Sequence, residues 1–97
     1  MPTNLLVLQA RIEQLEALRY TPAGIPALSL QLEHASELLD AGNSRTVKLS
    51  LRALAFGTLA ERLAKQALGS EWKFSGFLAN ARQGKSLVLN IQEFFSI

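Results

Sequence analysis

Cysteine is absent from this sequence of 97 residues. The chain can therefore form neither a disulfide framework nor a thiolate zinc site, and this is compatible with a reducing compartment such as the cytoplasm, where we expect the protein. The single histidine, His34, has no second histidine to share a metal ion. We predict no metal and no other cofactor, and we expect His34 to make a backbone hydrogen bond at the end of a strand.

Long apolar runs are also missing. The N-terminal run from Leu5 to Leu8 is far too short to span a bilayer, and no basic leader precedes it. We expect a soluble protein with no membrane partner.

Constellations that carry catalytic chemistry are equally scarce. There is no paired-carboxylate motif, and serine and threonine hydroxyls have only His34 as a candidate base. Gly84, Lys85 and Ser86 lack the upstream glycine of a phosphate-binding loop. The sequence does not favour an enzyme.

The composition is that of a globular protein, with 48% hydrophobic and 19% charged residues. The length predicts a single domain over 1–97, which buries about 65% of the surface of its unfolded chain. Because the net charge is only +2, the positions of the basic residues must decide whether a polyanion is the partner.

A turn that opens into a strand dominates the pattern. Pro22, Gly24 and Pro26 predict a sharp turn, and Pro26 has no N–H to give to a sheet, so the strand begins there and runs to Ser36. Side chains alternate along it, with one face formed by Leu28, Leu30, Leu32 and His34 and the other by Ala27, Ser29, Gln31 and Glu33.

Four further segments alternate in the same way and predict strands. The stretch from Glu13 to Arg19 can alternatively be a helical turn, with Leu15 and Leu18 three residues apart. A hairpin loop with a mobile tip is expected over Glu37 to Ser44, and a four-residue connection over Arg82 to Lys85. The four strands are Asn4 to Gln14, Arg45 to Phe56, Glu71 to Ala81 and Ser86 to Phe95.

One helix is predicted between the third and fourth strands. Thr58 and Glu61 have the spacing of a capping box, so the helix should begin at Thr58. Gly69 follows Leu68 where a left-handed C-terminal cap is favoured.

The order β-β-β-α-β-β predicts an all-β domain with one short helix, a five-stranded OB-fold barrel, in which the helix closes one end. Other small mixed sheets are the alternative, but their helices usually alternate with strands earlier in the chain. Leu5 and Val7 form a second apolar face on the first strand, which lipid, a helix or another subunit would cover. Together with Phe94, Phe95 and Ile97 they predict a homodimer.

The turn Thr21-Pro22-Ala23-Gly24-Ile25-Pro26 and the strand ending Leu32-Glu33-His34 resemble the family of primosomal replication protein N, PriB, which is related to bacterial single-stranded DNA-binding protein. The resemblance covers nearly the whole chain. It implies a homodimeric OB fold that binds single-stranded DNA and restarts stalled replication together with a primosomal helicase and other primosome proteins.

Some residues of the family pattern carry over and others do not. Basic residues carry over at Arg19, Arg45, Arg82 and Lys85. The chain has Lys48 where the family has a tryptophan, Ala35 in place of an arginine and Asn43 in place of an aromatic residue. The resemblance therefore does not imply base stacking at those three positions.

OB folds bind ligands over their second and third strands, between the first and last hairpin loops. We expect six basic residues to share that surface, although Glu33 on the same face weakens the cluster: Arg19, Arg45, Lys48, Arg52, Arg82 and Lys85. Tyr20 is a candidate for base stacking, as is Phe77, and packing under a loop or in a subunit contact is the alternative for both.

Two hypotheses about function remain open. In the first, the protein is a single-stranded DNA-binding accessory of the primosome that binds DNA mainly by electrostatic contacts and links it to a helicase. In the second, it is an OB-fold adaptor whose basic face and loops hold a protein partner, with little direct binding of nucleic acid. Any single one of these basic residues can alternatively serve only solubility.

Overall fold

The computed structural model describes residues 2–97. Its elements are β1 (Leu6–Leu15), β2 (Arg19–Tyr20), β3 (Pro26–Asp40), β4 (Asn43–Phe56), α1 (Thr58–Ala64), β5 (Glu71–Asn80) and β6 (Leu87–Phe95). The strand order β1-β5-β6-β4-β3 closes on itself through a β1–β3 pairing. All pairs are antiparallel except β4 with β6. The predicted OB-fold barrel of five strands and one short helix is confirmed, with β2 as a short extra strand on the edge of β3.

β1 pairs with a different neighbour in each half. Residues Leu6 to Arg11 pair with β5, whereas Arg11 to Leu15 pair with β3, with an irregularity between Ile12 and Gln14. β1 therefore includes the first part of the segment for which a helical turn was the alternative. Residues 16–18 then connect β1 to β2, and no helix forms between Glu13 and Arg19.

The barrel interior holds the inward side chains of all five strands. Its largest fully buried apolar residues are Phe74, Ile12, Leu28, Leu32, Leu63 and Leu89. Ala60 and Leu63 of α1 belong to this core, and α1 packs against β3 and β4. No helix within residues 2–97 is long and apolar enough to cross a membrane.

The predicted capping box is wrong. Gly57 is the N-cap, with φ 71° and ψ −147°, and no side chain caps the helix. Thr58 is the first helical residue, and the Glu61 N–H donates to the Gly57 carbonyl at 3.3 Å. Since a capping hydroxyl must lie one position before the helix, Thr58 cannot fill that role.

The helix also ends earlier than its sequence pattern predicted. Its last residue is Ala64, with Lys65 as the C-cap. Gly69 has φ 84° but is not the cap, because its N–H donates to the Ile12 carbonyl at 2.7 Å and ties the following turn to β1.

The loop predicted over Glu37 to Ser44 is wrong as well. β3 and β4 stay paired to Asp40 and Asn43, and only Ala41 and Gly42 form the turn, with φ 52° and 82°. Two positive φ values are typical of a tight hairpin turn that matches the twist of its strands. The polar sequence misled the prediction because this ribbon extends beyond the barrel and is exposed on both faces.

Two other local predictions concern the last hairpin and His34. The loop between β5 and β6 spans residues 81–86, one residue more at each end than predicted, and an Ala81 N–H to Ser86 carbonyl bond of 2.7 Å closes it. His34 Nδ1 lies 2.6 Å from the Gln9 carbonyl oxygen, so the predicted backbone hydrogen bond is confirmed. The expected position at a strand end is wrong, because β3 continues past His34 to Asp40.

Candidate nucleic-acid interface

The predicted site residues were expected on the outer face of the β3–β4 pair, and the strand pairing shows which of them lie there. Directly paired residues on neighbouring strands point to the same face of a sheet. Arg52 is paired with Gln31 and Lys48 with Ala35, and both basic side chains are exposed. Arg52 and Lys48 therefore lie on the same face, turned away from the barrel core.

Arg19 joins this face through β2. It is paired with Ala27, and its Nη1 donates a hydrogen bond of 3.1 Å to the Ser29 hydroxyl. Ser29 is 2% exposed although it points outward, because the segment that contains Arg19 covers it. The sequence folds locally in this way because the Glu16 N–H also donates to the Ser29 carbonyl at 3.0 Å, which holds the β1–β2 connection against β3.

Arg19, Arg52 and Lys48 form a line along the sheet, which we call the basic line. Arg19 contacts Ser29, and Lys48 is paired with Ala35, so the line spans roughly 20 Å at roughly 3.3 Å per residue. Arg52 lies between them.

The charges on the basic line differ in how they are compensated. Arg52 Nη2 is 3.2 Å from Glu16 Oε2 in an exposed ion pair, which contributes about 0–1 kcal/mol and exchanges readily for another anion. Lys48 makes no ion pair with any of residues 2–97 and lines a shallow depression of about 350 Å³ together with Glu33 and Ser50.

Glu33, the acid expected to weaken the cluster, is itself paired. Arg11 Nη2 lies 2.7 Å from its Oε1. The negative charge beside Lys48 is therefore partly compensated from β1.

Arg45 is not brought together with the basic line. It is paired with Leu38, and this pair lies on the same face of the sheet as the His34–Leu49 pair. Lys48 lies on the opposite face. Its Nη1 is 2.7 Å from Asp40 Oδ2 at the tip of the ribbon. The expectation that all six basic residues share one surface therefore fails at Arg45.

Arg82 and Lys85 lie in the exposed loop that leads into β6. β6 runs parallel to β4, and Val88 is paired with Arg52. The loop therefore meets the sheet close to Arg52, the middle residue of the basic line. It lies on the β6 side of β4, whereas β3 lies on the other side.

The two predicted stacking candidates are placed differently. Tyr20 is 62% exposed, but it is paired with Pro26 and so alternates away from Arg19. Phe77 is 36% exposed and paired with Asn90 on the outside of β5. Within residues 2–97 there is no group of three or more His, Cys, Asp or Glu residues that could hold a metal ion.

Comparison with known proteins identifies the family. A family model described as "Another single-strand binding protein family" matches residues 4–93. The replication restart protein PriB of Bordetella pertussis is 47% identical over 91 residues, which cover 93% of this chain and 85% of that protein. The chain belongs to the PriB family. The family resemblance read from the turn at Thr21 to Pro26 is thereby confirmed.

Solved structures agree with this PriB assignment. A crystal structure of PriB from Ralstonia solanacearum is 35% identical, covers 98% of both chains and has a TM-score of 0.87. The wild-type single-stranded DNA-binding protein from Thermus aquaticus has a TM-score of 0.77 at 22% identity, over 98% of this chain and 50% of that one, which shows the shared fold.

This PriB-family chain has one candidate site residue that the sequence analysis missed. Phe56 is 47% exposed and paired with Ala27, which is paired in turn with Arg19. These pairings place an aromatic ring on the outer face at the α1 end of the basic line. The signal was present in the sequence, because Phe56 continues the same two-residue period as Lys48 and Arg52.

Proposed function

We propose that this protein binds single-stranded DNA in replication restart, over the outer face of β3 and β4. The observation that carries the proposal is the basic line of Arg19, Arg52 and Lys48 on one exposed face of a PriB-family barrel. Family membership supports the replication role, and the geometry supports the place of binding.

Phosphate contacts supply most of the affinity in this proposal. Lys48 and Arg52 have no aromatic side chain between them on the outer face of β4, where Ser50 stands. Lysine and arginine that neutralise phosphates release counterions, so the binding is steep in salt and insensitive to sequence. Arg82 and Lys85 add two exposed cations from the neighbouring loop.

Phe56 gives a preference for single strands. Stacking of a base on an exposed ring contributes roughly 1–3 kcal/mol and accepts any base. A duplex keeps its bases stacked on each other, so it can use the basic line but not the ring.

A homodimer is the second part of the proposal. The Leu6 to Ala10 segment pairs with β5 on one side, whereas pairing with β3 starts only at Arg11. Since His34 already contacts the Gln9 carbonyl, residues Leu6 to Leu8 are the part of β1 that presents a strand edge. Leu5 and Val7 beside it are 65% and 53% exposed. A second copy pairing along this edge would complete the sheet and cover both side chains.

The third part is a link from DNA to the primosomal helicase. Apolar side chains away from the β3–β4 face support a protein contact there. They include Leu68, 64% exposed in the turn that Gly69 ties to β1. If the protein binds only a protein partner, it will not bind an oligonucleotide through the basic line. The following experiment distinguishes these two functions.

Fluorescence anisotropy with a labelled oligothymidylate, and with a duplex of equal length, tests the proposal at several salt concentrations. We expect saturable binding of the single strand, weaker binding of the duplex, and loss of both as salt rises. No binding even at low salt would leave the docking adaptor as the function. Equal affinity for the two forms would reduce the site to a general basic patch.

A further inference from the structure

A row of uncharged side chains crosses the outside of the barrel at right angles to the basic line. Leu54 of β4 is paired with Asn90 of β6, which is paired with Phe77 of β5. Paired residues share a face, and Leu54 is in phase with Arg52, so all three lie on the outer surface. We call these three residues the cross-strand row.

The cross-strand row is partly covered but not closed. Leu54 and Asn90 are half-buried, Phe77 is 36% exposed, and Val88 beside them on the outside of β6 is only 3% exposed. The neighbouring apolar side chains therefore shield one another and leave the Phe77 ring as the part that meets solvent.

The place of Phe77 is fixed by the backbone beneath it. A Cβ on the preceding residue, Gly76, would collide with the Asn90 carbonyl, so the two strands approach more closely there than a side chain permits. The pairing of β5 with β6 is irregular between Ser75 and Gly76. Phe77 is itself paired with Asn90, so its backbone is already ordered in the sheet before a ligand stacks on the ring.

Cations lie on one side of the row, toward the loop between β5 and β6. Arg52 is next to Leu54 on the outside of β4, and Val88 is paired with it. β5 leads from Phe77 into the loop that carries Arg82 and Lys85. The row itself carries no charge, so it does not attract phosphates. Its apolar and amide side chains can instead contact the bases that lie between the phosphates.

We infer that the bound single strand leaves the basic line at Arg52 and continues around the barrel over β6 to β5, where a base stacks on Phe77. Asn90 lies under this path with an amide that can donate to and accept from a base edge. The inference rests on the proposed function, because it extends the same single-stranded DNA site. It makes Phe77 a second residue for base stacking, in addition to Phe56. The positions of the basic residues alone would not identify it.

Two variants at Phe77 and one control variant elsewhere separate stacking from packing. Phe77→Leu keeps apolar contact but removes the ring, Phe77→Tyr keeps the ring, and Leu68→Ala truncates an exposed apolar residue elsewhere. Each is titrated by anisotropy with a labelled oligothymidylate long enough to span both surfaces, after circular dichroism has shown the same fold. We expect roughly 5- to 150-fold weaker binding for Phe77→Leu, and changes below about twofold for Phe77→Tyr and Leu68→Ala.

A second oligonucleotide tests whether a base is what Phe77 contacts. It has the same length but abasic sites in place of the bases, so its phosphates are unchanged. We expect Phe77→Leu to bind this strand as the unsubstituted protein does, and to keep the same salt dependence on both strands. An equal loss on both strands, or no loss on either, would overturn the inference, and the second result would assign the row to a protein contact. If the unsubstituted protein binds neither strand, the proposed function fails as well.

Discussion

Arg45 and Lys48 both belong to β4, yet they point to opposite faces of the β3–β4 ribbon. Lys48 is paired with Ala35 and faces outward beside Arg52, whereas Arg45 is paired with Leu38 and is 2.7 Å from Asp40. The odd spacing between them in a strand dictates this result, because successive side chains alternate. Two basic residues that look equivalent in the sequence are therefore not equivalent in the proposed site.

Replacing each of them by alanine gives different outcomes. Loss of Lys48 removes one phosphate contact, which weakens binding of single-stranded DNA about fivefold at 0.1 M salt. Loss of Arg45 changes the affinity by less than about twofold, since its charge is already paired with Asp40 on the other face. Anisotropy titrations of the two variants under the same conditions decide this, and an equal effect would mean that the strand reaches around the ribbon tip.

Glu16 competes with DNA for Arg52. Its carboxylate lies 3.2 Å from the guanidinium, and both side chains are more than half exposed. Glu16→Gln removes the competing charge, so we expect tighter binding of single-stranded DNA, by about twofold to fivefold at low salt, with little change in stability. Glu61→Gln on α1 is the control for the change in net charge, and an equal gain in that variant would contradict a local effect.

The sequence predicted the barrel because the alternation of inward and outward side chains holds over most of each strand, with interruptions only at the register shifts in β1 and between β5 and β6. The sequence pattern predicted the wrong local structure where the same residue types occur in two different structures, as at a helix cap or in a loop and an exposed strand. Thr58 and Glu61 have capping-box spacing, but Gly57 takes a conformation that only glycine adopts readily and so becomes the cap. The ribbon from Glu37 to Ser44 was taken for a loop because its strands lack an apolar face.

The candidate site shows the same division. Lys48 and Arg52 were placed correctly on the outer face by their spacing alone. The ion pair between Arg52 and Glu16 was not predictable, because it joins β4 to the connection after β1 through the closure of the barrel. Arg45 was included because the family resemblance carries a basic residue over to that position, although the alternation already placed it on the other face.

Helix capping gives a prediction about stability. Because Thr58 makes no side-chain capping hydrogen bond, Thr58→Ala changes the free energy of unfolding by less than about 0.5 kcal/mol. Gly57→Ala forces a side chain into a backbone region with positive φ and costs about 1–3 kcal/mol. Urea denaturation measures both, and a larger loss in the threonine variant than in the glycine variant would contradict the assigned cap.

The free edge of β1 predicts the oligomeric state. Sedimentation equilibrium at tens of micromolar protein should give twice the mass of the chain. Val7→Lys places a charge in the apolar surface beside the edge, so we expect it to shift the protein to the monomer. Lys65→Ala on α1 is the matched control and should remain dimeric. A monomeric unsubstituted protein would contradict the proposed interface.

The most direct test of the central claim is the salt dependence of single-stranded DNA binding in three variants. If about four phosphates are neutralised per chain, the logarithm of the association constant falls against the logarithm of salt concentration with a slope near −3. Lys48→Ala and Arg52→Ala should each flatten this slope by about 0.7 and weaken all sequences alike. Lys65→Ala, an exposed cation on the helix, should leave the slope unchanged. Equal slopes in all three variants would show that the basic line does not bind DNA.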